Sequence, residues 1–155
     1  LKARSLLGMP IVVPARGEIV GMVCDLVIEE FDLKGLLVEE ENGKVGFIEQ
    51  EGFSIGEDAV LLNEGAGLKP YQGRGKSSYK DKMGETIFDS DGREIGRVSD
   101  LVIDEETKGT IAVEISGGVI QDFLAGRREE IPMNSIRVDG SDMVVVESEE
   151  RSGNG

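Results

Sequence analysis

The stretch Gly96-Arg-Val-Ser-Asp-Leu-Val-Ile-Asp-Glu105 repeats Gly21-Met-Val-Cys-Asp-Leu-Val-Ile-Glu-Glu30, which lies 75 residues upstream. Seven of the ten positions are identical, and Asp104 keeps the charge of Glu29. A match of that length inside 155 residues marks an internal repeat, so the chain reads as two copies of one unit. Each copy has about 70 residues, a size at which a single hydrophobic core is only marginally stable alone.

Composition says what such units are built from. Hydrophobic residues make up 39% and aromatics 5%, with no Trp, so the cores must be aliphatic. With 22 Gly, 4 Pro and recurrent Val and Ile, the pattern is one of short strands joined by tight turns. The 17 Lys and Arg against 31 Asp and Glu give a net charge of −14, with no His. Such a field repels nucleic-acid phosphates, whose binding needs a basic footprint. The single Cys cannot form an internal disulfide, which suits a reducing cytoplasm. No apolar run approaches the roughly 18 residues of a membrane span. Leu1–Val13, interrupted by Pro10, does not read as a signal peptide.

Outward from the doubled strand, the first unit is expected over residues 1–69. Leu7–Val13 opens it, Gly17 turns into the doubled strand, Asp32–Gly35 makes the next turn, and Asn42-Gly43 carries the signature of a type I′ hairpin. Residues 70–82 are rich in Gly, Ser and Lys and read as a flexible linker. Residues 83–150 repeat the first unit, with turns at Asp89–Gly92 and Thr107–Gly109, and 151–155 should fray. The second unit alone carries an insert, Ser116–Glu130. There Ile120, Phe123 and Leu124 stand at helical spacing, Gly126 is placed as a C-cap, and Arg127 and Arg128 follow. Within the doubled strand, Val98 has one parity while Leu101 and Ile103 have the other. That predicts a bulge near Ser99-Asp100 and likewise at Cys24-Asp25, with the Asp side chain satisfying freed amides.

The pattern Gly-x-Val-x-Asp-Leu-Val-Ile-[Asp/Glu], preceded by Gly84-x-x-Ile87 and followed by Ile131-Pro132-x-x-x-Ile136, resembles the PRC-barrel family. That small β-barrel is shared by the cytoplasmic part of the photosynthetic reaction-centre H subunit and the C-terminal half of the ribosome-maturation factor RimM. The resemblance implies an all-β fold of two tandem small PRC-type β-barrels, the second with a short helical insert, and a bacterial protein that works by docking. In the first unit Glu49 and Phe53 stand where the second has Pro132 and Ile136, so strand entry there is expected to differ.

The residues offer little for catalysis. Without His, general acid–base work would fall to carboxylates, Lys or Tyr. Cys24 aligns with Ser99 inside the repeated strand and reads as a packed thiol. Asp89-Ser-Asp91-Gly92 starts like a calcium loop, but Glu94 occupies the place where that loop requires Gly, so an Asp-stabilised turn is expected. Glu39-Glu40-Glu41 reads as solvated charge. No catalytic residue, metal ligand or cofactor is therefore assigned. Gly21, Asp25, Gly96 and Asp100 are assigned as the structural repeat motif, and Ile120, Phe123, Leu124, Arg127 and Arg128 as the candidate docking surface. The expected function is a cytoplasmic, non-catalytic adaptor or assembly module with a protein partner, its units also free to pair across chains as a homo-oligomer. The alternative is an RNA-processing or ribosome-associated factor using Arg74, Lys76, Lys80 and Lys82.

Overall fold

A computed structural model describes residues 1–71, 73, 77–117, 129–139 and 143–146. The predicted helix at Ile120–Leu124 and the residues Gly126, Arg127 and Arg128 lie outside them, as do residues 151–155, where fraying was expected. The described chain is almost wholly β, and it divides into two compact units. The first comprises Leu1–Asp81 together with Ile103–Gly109, and the second Lys82–Val102 with the chain from Thr110 onward.

In the first unit the strands are β1 (Pro10–Val13), β2 (Glu18–Glu29), β3 (Asp32–Glu39), β4 (Val45–Glu49), β5 (Phe53–Ile55), β6 (Val60–Leu62), β7 (Lys69–Pro70) and β8 (Ser77–Ser78). They pair in the order β5-β6-β1-β2-β3-β4-β7, with β8 added to β2. The second unit holds β9 (Thr86–Asp89), β10 (Glu94–Ile103), β11 (Thr110–Ser116), β12 (Glu129–Pro132), β13 (Ile136–Asp139) and β14 (Met143–Val146), in the order β12-β11-β10-β9-β14-β13. Among the described residues neither path closes on itself, and the sheets curl as a half-barrel where the sequence suggested closure.

The two sheets share their wiring. In each, the opening strand pairs antiparallel with the long repeated strand and parallel with a later strand of the unit: β1 with β6, and β9 with β14. Each long strand bulges at the same place in the repeat. Ile11 faces Gly21 and Val12 faces Ile19, leaving Val20 over; Ile87 faces Gly96 and Phe88 faces Glu94, leaving Ile95 over. The glycine after each bulge crosses close to the next strand. A Cβ on Gly21 would lie 2.8 Å from the Glu39 carbonyl oxygen, and one on Gly96 would lie 3.2 Å from that of Ser116.

The phase break expected in β2 is present. Val23 faces Val38 and Asp25 faces Leu37, so Cys24 is the extra residue of a bulge. Asp25 Oδ1 accepts the Leu26 amide at 2.8 Å, and Asp100 Oδ1 accepts that of Leu101 at the same distance. The bulge lets Val23, Leu26 and Ile28 all face inward, joined by Ile11, Leu36, Val38, Ile48 and Phe53; each is at most 3% exposed. Ile87, Val98, Leu101, Val113 and Ile115 fill the second unit in the same way.

Four turns and strand ends differ from expectation. Gly35 lies inside β3 rather than in a turn, because the ring of Phe47 occupies the space that a Cβ would need. The two-residue hairpin with both dihedrals positive is Glu30-Phe31 (φ 51° and 69°), not Asn42-Gly43, where only Gly43 is positive. Fully burying a phenylalanine contributes about 1.5–3 kcal/mol, which offsets the roughly 1–2 kcal/mol strain of an L-residue in that region; Phe31 is 0% exposed. Strand entry, expected to differ between the units, is the same in both: Pro132 ends β12 and Glu49 ends β4, and after a 3₁₀ turn Ile136 and Phe53 open the next strand. The stretch read as a linker is ordered at its end: β8 pairs with Val27 and Ile28, one helical turn follows at Tyr79–Lys82, and Tyr79 is 5% exposed.

The turn after β10 belongs to the first unit. Asp104 Oδ1 accepts the amides of Glu106 and Thr107, which holds the Asp104 carboxyl below its ordinary range. Lys108 then adopts φ 63° and gives its carbonyl to the Leu33 amide at 3.2 Å. Its ammonium donates to the Gln50 carbonyl at 2.7 Å and lies 4.6 Å from the centre of the Phe53 ring. Burial lowers the pKa of that lysine. At the base of the turn, Leu1 and Ile103 exchange two backbone bonds, at 2.7 and 3.2 Å.

Candidate interaction surface

A sheet whose inner face is packed leaves its outer face to solvent, and such faces ordinarily carry polar side chains. In the first unit part of that face is apolar. Residues directly opposed across antiparallel strands share a face, and Met22 opposes Glu39, which opposes Val45. Met22 is 49% exposed, Val45 48% and nearby Ile19 62%. The bulge at Val20 is what brings Ile19 and Met22, three positions apart, into one depression. That depression has a volume of about 560 Å³ and is lined by Ile19, Gly21, Met22, Glu39, Glu40, Glu41 and Gly43.

Farther along the same face the surface is half-buried and still apolar. Leu37 opposes Phe47, whose ring lies over Gly35 and packs 5.4 Å from the ring of Tyr71 at a tilt of 34°. Burial, then Asp25 and Asp81, raise the Tyr71 phenol pKa. Cys24 is half-buried beside Asp25, and burial, followed by Glu39 and Asp25, raises its thiol pKa. A thiol so placed is a poor nucleophile at neutral pH.

The second unit supplies an internal comparison. Where β2 has Ile19 and Met22, β10 has Glu94 and Arg97. The matching glycine contacts put Ser116 at the place of Glu39, so Glu114 stands at the place of Leu37 and Ser99 at that of Cys24. There the Ser99 hydroxyl donates to the Glu114 carboxylate at 2.7 Å. One copy of the fold thus carries charge and hydrogen bonds where the other exposes aliphatic carbon. A lone exposed apolar side chain needs no explanation; a face changed at several equivalent positions does.

Of the residues assigned from sequence, Gly21, Asp25, Gly96 and Asp100 have the structural roles given above, and the insert residues lie outside the described ones. Ile19, Met22 and Val45 were not singled out by sequence. The available signal was the apolar-for-charged exchange between the repeats at Ile19/Glu94 and Met22/Arg97, usable only once the bulge had shown which way those side chains face. Asp89 behaves as an Asp-stabilised turn residue, its Oδ1 accepting the amides of Asp91 and Arg93 at 2.9 Å. Among the described residues no group of three or more His, Cys, Asp or Glu is placed to hold a metal ion, and no helix is long and apolar enough to cross a membrane.

The geometry defines a class: an all-β protein with a curled sheet and a partly apolar outer face. Residues 75–151 match the family model of the PRC-barrel domain, and through that domain the chain belongs to the PRC-barrel family. No curated protein matches the chain.

Proposed function

We propose that the chain is a non-catalytic adaptor or assembly module, built of two PRC-type units in tandem and acting in the cytoplasm by protein–protein docking. The carrying observation is the outer face of the first unit, where Ile19 and Met22 expose apolar surface at positions that hold Glu94 and Arg97 in the second copy. The shared strand order and the bulges at Val20 and Ile95 support the tandem reading. PRC-barrel domains are linked to protein interactions, which supports the docking reading. The alternative of an RNA-contacting factor draws on four basic residues, Arg74, Lys76, Lys80 and Lys82. One of them, Lys82, is 2% exposed with its ammonium 3.5 Å from a Glu85 carboxylate oxygen, and so is not available to a phosphate backbone.

Crosslinking in cells, followed by identification of the attached protein, tests the reading. A discrete protein adduct is expected. Crosslinks to RNA alone, or no adduct together with measurable turnover of a substrate, would overturn it.

A further inference from the structure

We infer that the depression on the outer face of the first unit takes a basic, strand-like segment of another protein. One or two aliphatic side chains of that segment seat over Ile19 and Met22, and its Lys or Arg side chains lie against Glu39, Glu40 and Glu41. The inference rests on the docking reading and adds the place and the chemistry of the partner.

Three observations carry it. First, the depression combines the apolar side chains of Ile19 and Met22 with an acidic rim of Glu39, Glu40 and Glu41, and its volume of about 560 Å³ suits a few side chains rather than a large wedge. Second, the rim is held in place. Glu40 donates its amide to the Lys44 carbonyl at 2.8 Å, Gly43 donates to the Glu40 carbonyl at 2.9 Å, and Asn42 Oδ1 accepts the Lys44 amide at 2.9 Å. The carboxylates therefore project from an ordered turn, with Lys44 the one opposing charge within it. Third, the chain's −14 charge steers cationic partners toward it and repels phosphate-bearing ones, which favours a basic protein segment over nucleic acid or anionic lipid as occupant. An apolar centre with a charged rim is the ordinary anatomy of a docking site.

The test uses the whole chain and a fluorescent peptide of alternating lysine and valine, followed by anisotropy at low salt. Binding is expected to weaken about tenfold or more in the double variant Ile19→Ser, Met22→Ser, because a buried apolar contact is lost on both sides. It should also weaken steeply as salt rises through the Debye-screening range. Ile111→Ser, which changes an exposed aliphatic residue of the second unit, should leave binding unchanged. Equal binding by the double variant would overturn the inference, as would equal affinity for a glutamate–valine peptide or displacement by single-stranded RNA. The exposed positions of Ile19 and Met22 allow folding of the variant to be verified by its melting curve. If the peptide fails to bind but the adduct in cells persists in the double variant, the adaptor reading stands and this surface does not.

Discussion

At the scale of single residues, the chemistry of this chain is set by where the bulges fall. Cys24 is the extra residue of its bulge, so its sulfur is neither fully inside nor free in solvent. Burial first, then the carboxylates of Glu39 and Asp25, disfavour the thiolate. The sign follows directly: with the folded pKa raised, the neutral thiol favours the native state below the unfolded value of about 8.5, and that share is lost as pH rises through the folded value. Alkylation by iodoacetamide at pH 7.5 should be at least about threefold slower than for a cysteine in an unstructured peptide, its rate still climbing past the ordinary thiol range. A rate equal to the peptide's would refute the assignment. The repeat itself, the phase break and the aspartate that caps it were legible in the residues. What the cysteine's neighbours would do to its proton was not, because Glu39 comes from a different strand.

At the scale of elements, the turn joining β2 to β3 shows local preference yielding to packing. Sequence chemistry favours Asn42-Gly43 for a two-residue hairpin, yet the chain places a glutamate and a phenylalanine at positive φ instead. The phenyl group of Phe31 is enclosed, and that burial sustains the strain. Two substitutions should therefore move stability in opposite directions. Glu30→Gly relieves strain at an exposed position and is expected to stabilise by up to about 1 kcal/mol. Phe31→Gly relieves the same strain but empties the core site, with an expected loss of about 3 kcal/mol or more. Urea unfolding of both variants checks this; a loss for Glu30→Gly would mean that its side chain contributes more than its backbone costs. Gly35 was read as a turn residue for the same reason. Nothing in the local sequence announces that Phe47, twelve residues later, needs the space above it.

At the scale of the molecule, the repeat boundary and the packing boundary do not coincide. Residues 103–109 belong by sequence to the second copy and by packing to the first unit. They supply the partner for the Leu33 amide, the Leu1–Ile103 backbone pair and the Lys108 ammonium on Gln50 and Phe53. A fragment of residues 1–81 lacks all of these. Counting about 1 kcal/mol for each of the four hydrogen bonds, such a fragment should unfold with a stability about 2–5 kcal/mol below that of the first unit in the whole chain. Hydrogen exchange at the Leu33 amide in the two forms provides the comparison, and equal protection would contradict the packing described.

By itself the sequence determined the all-β class, the doubled strand and the bulge at Cys24. Those follow from the two-residue periodicity of strands and from a copied segment whose phase breaks at the same aspartate. Only the tertiary structure decided which outward positions form one surface, where the second copy's turn is held, and which residues accept positive φ. Each of these depends on atoms brought together from distant parts of the chain, and burial there outweighs the local preferences that a sequence can display.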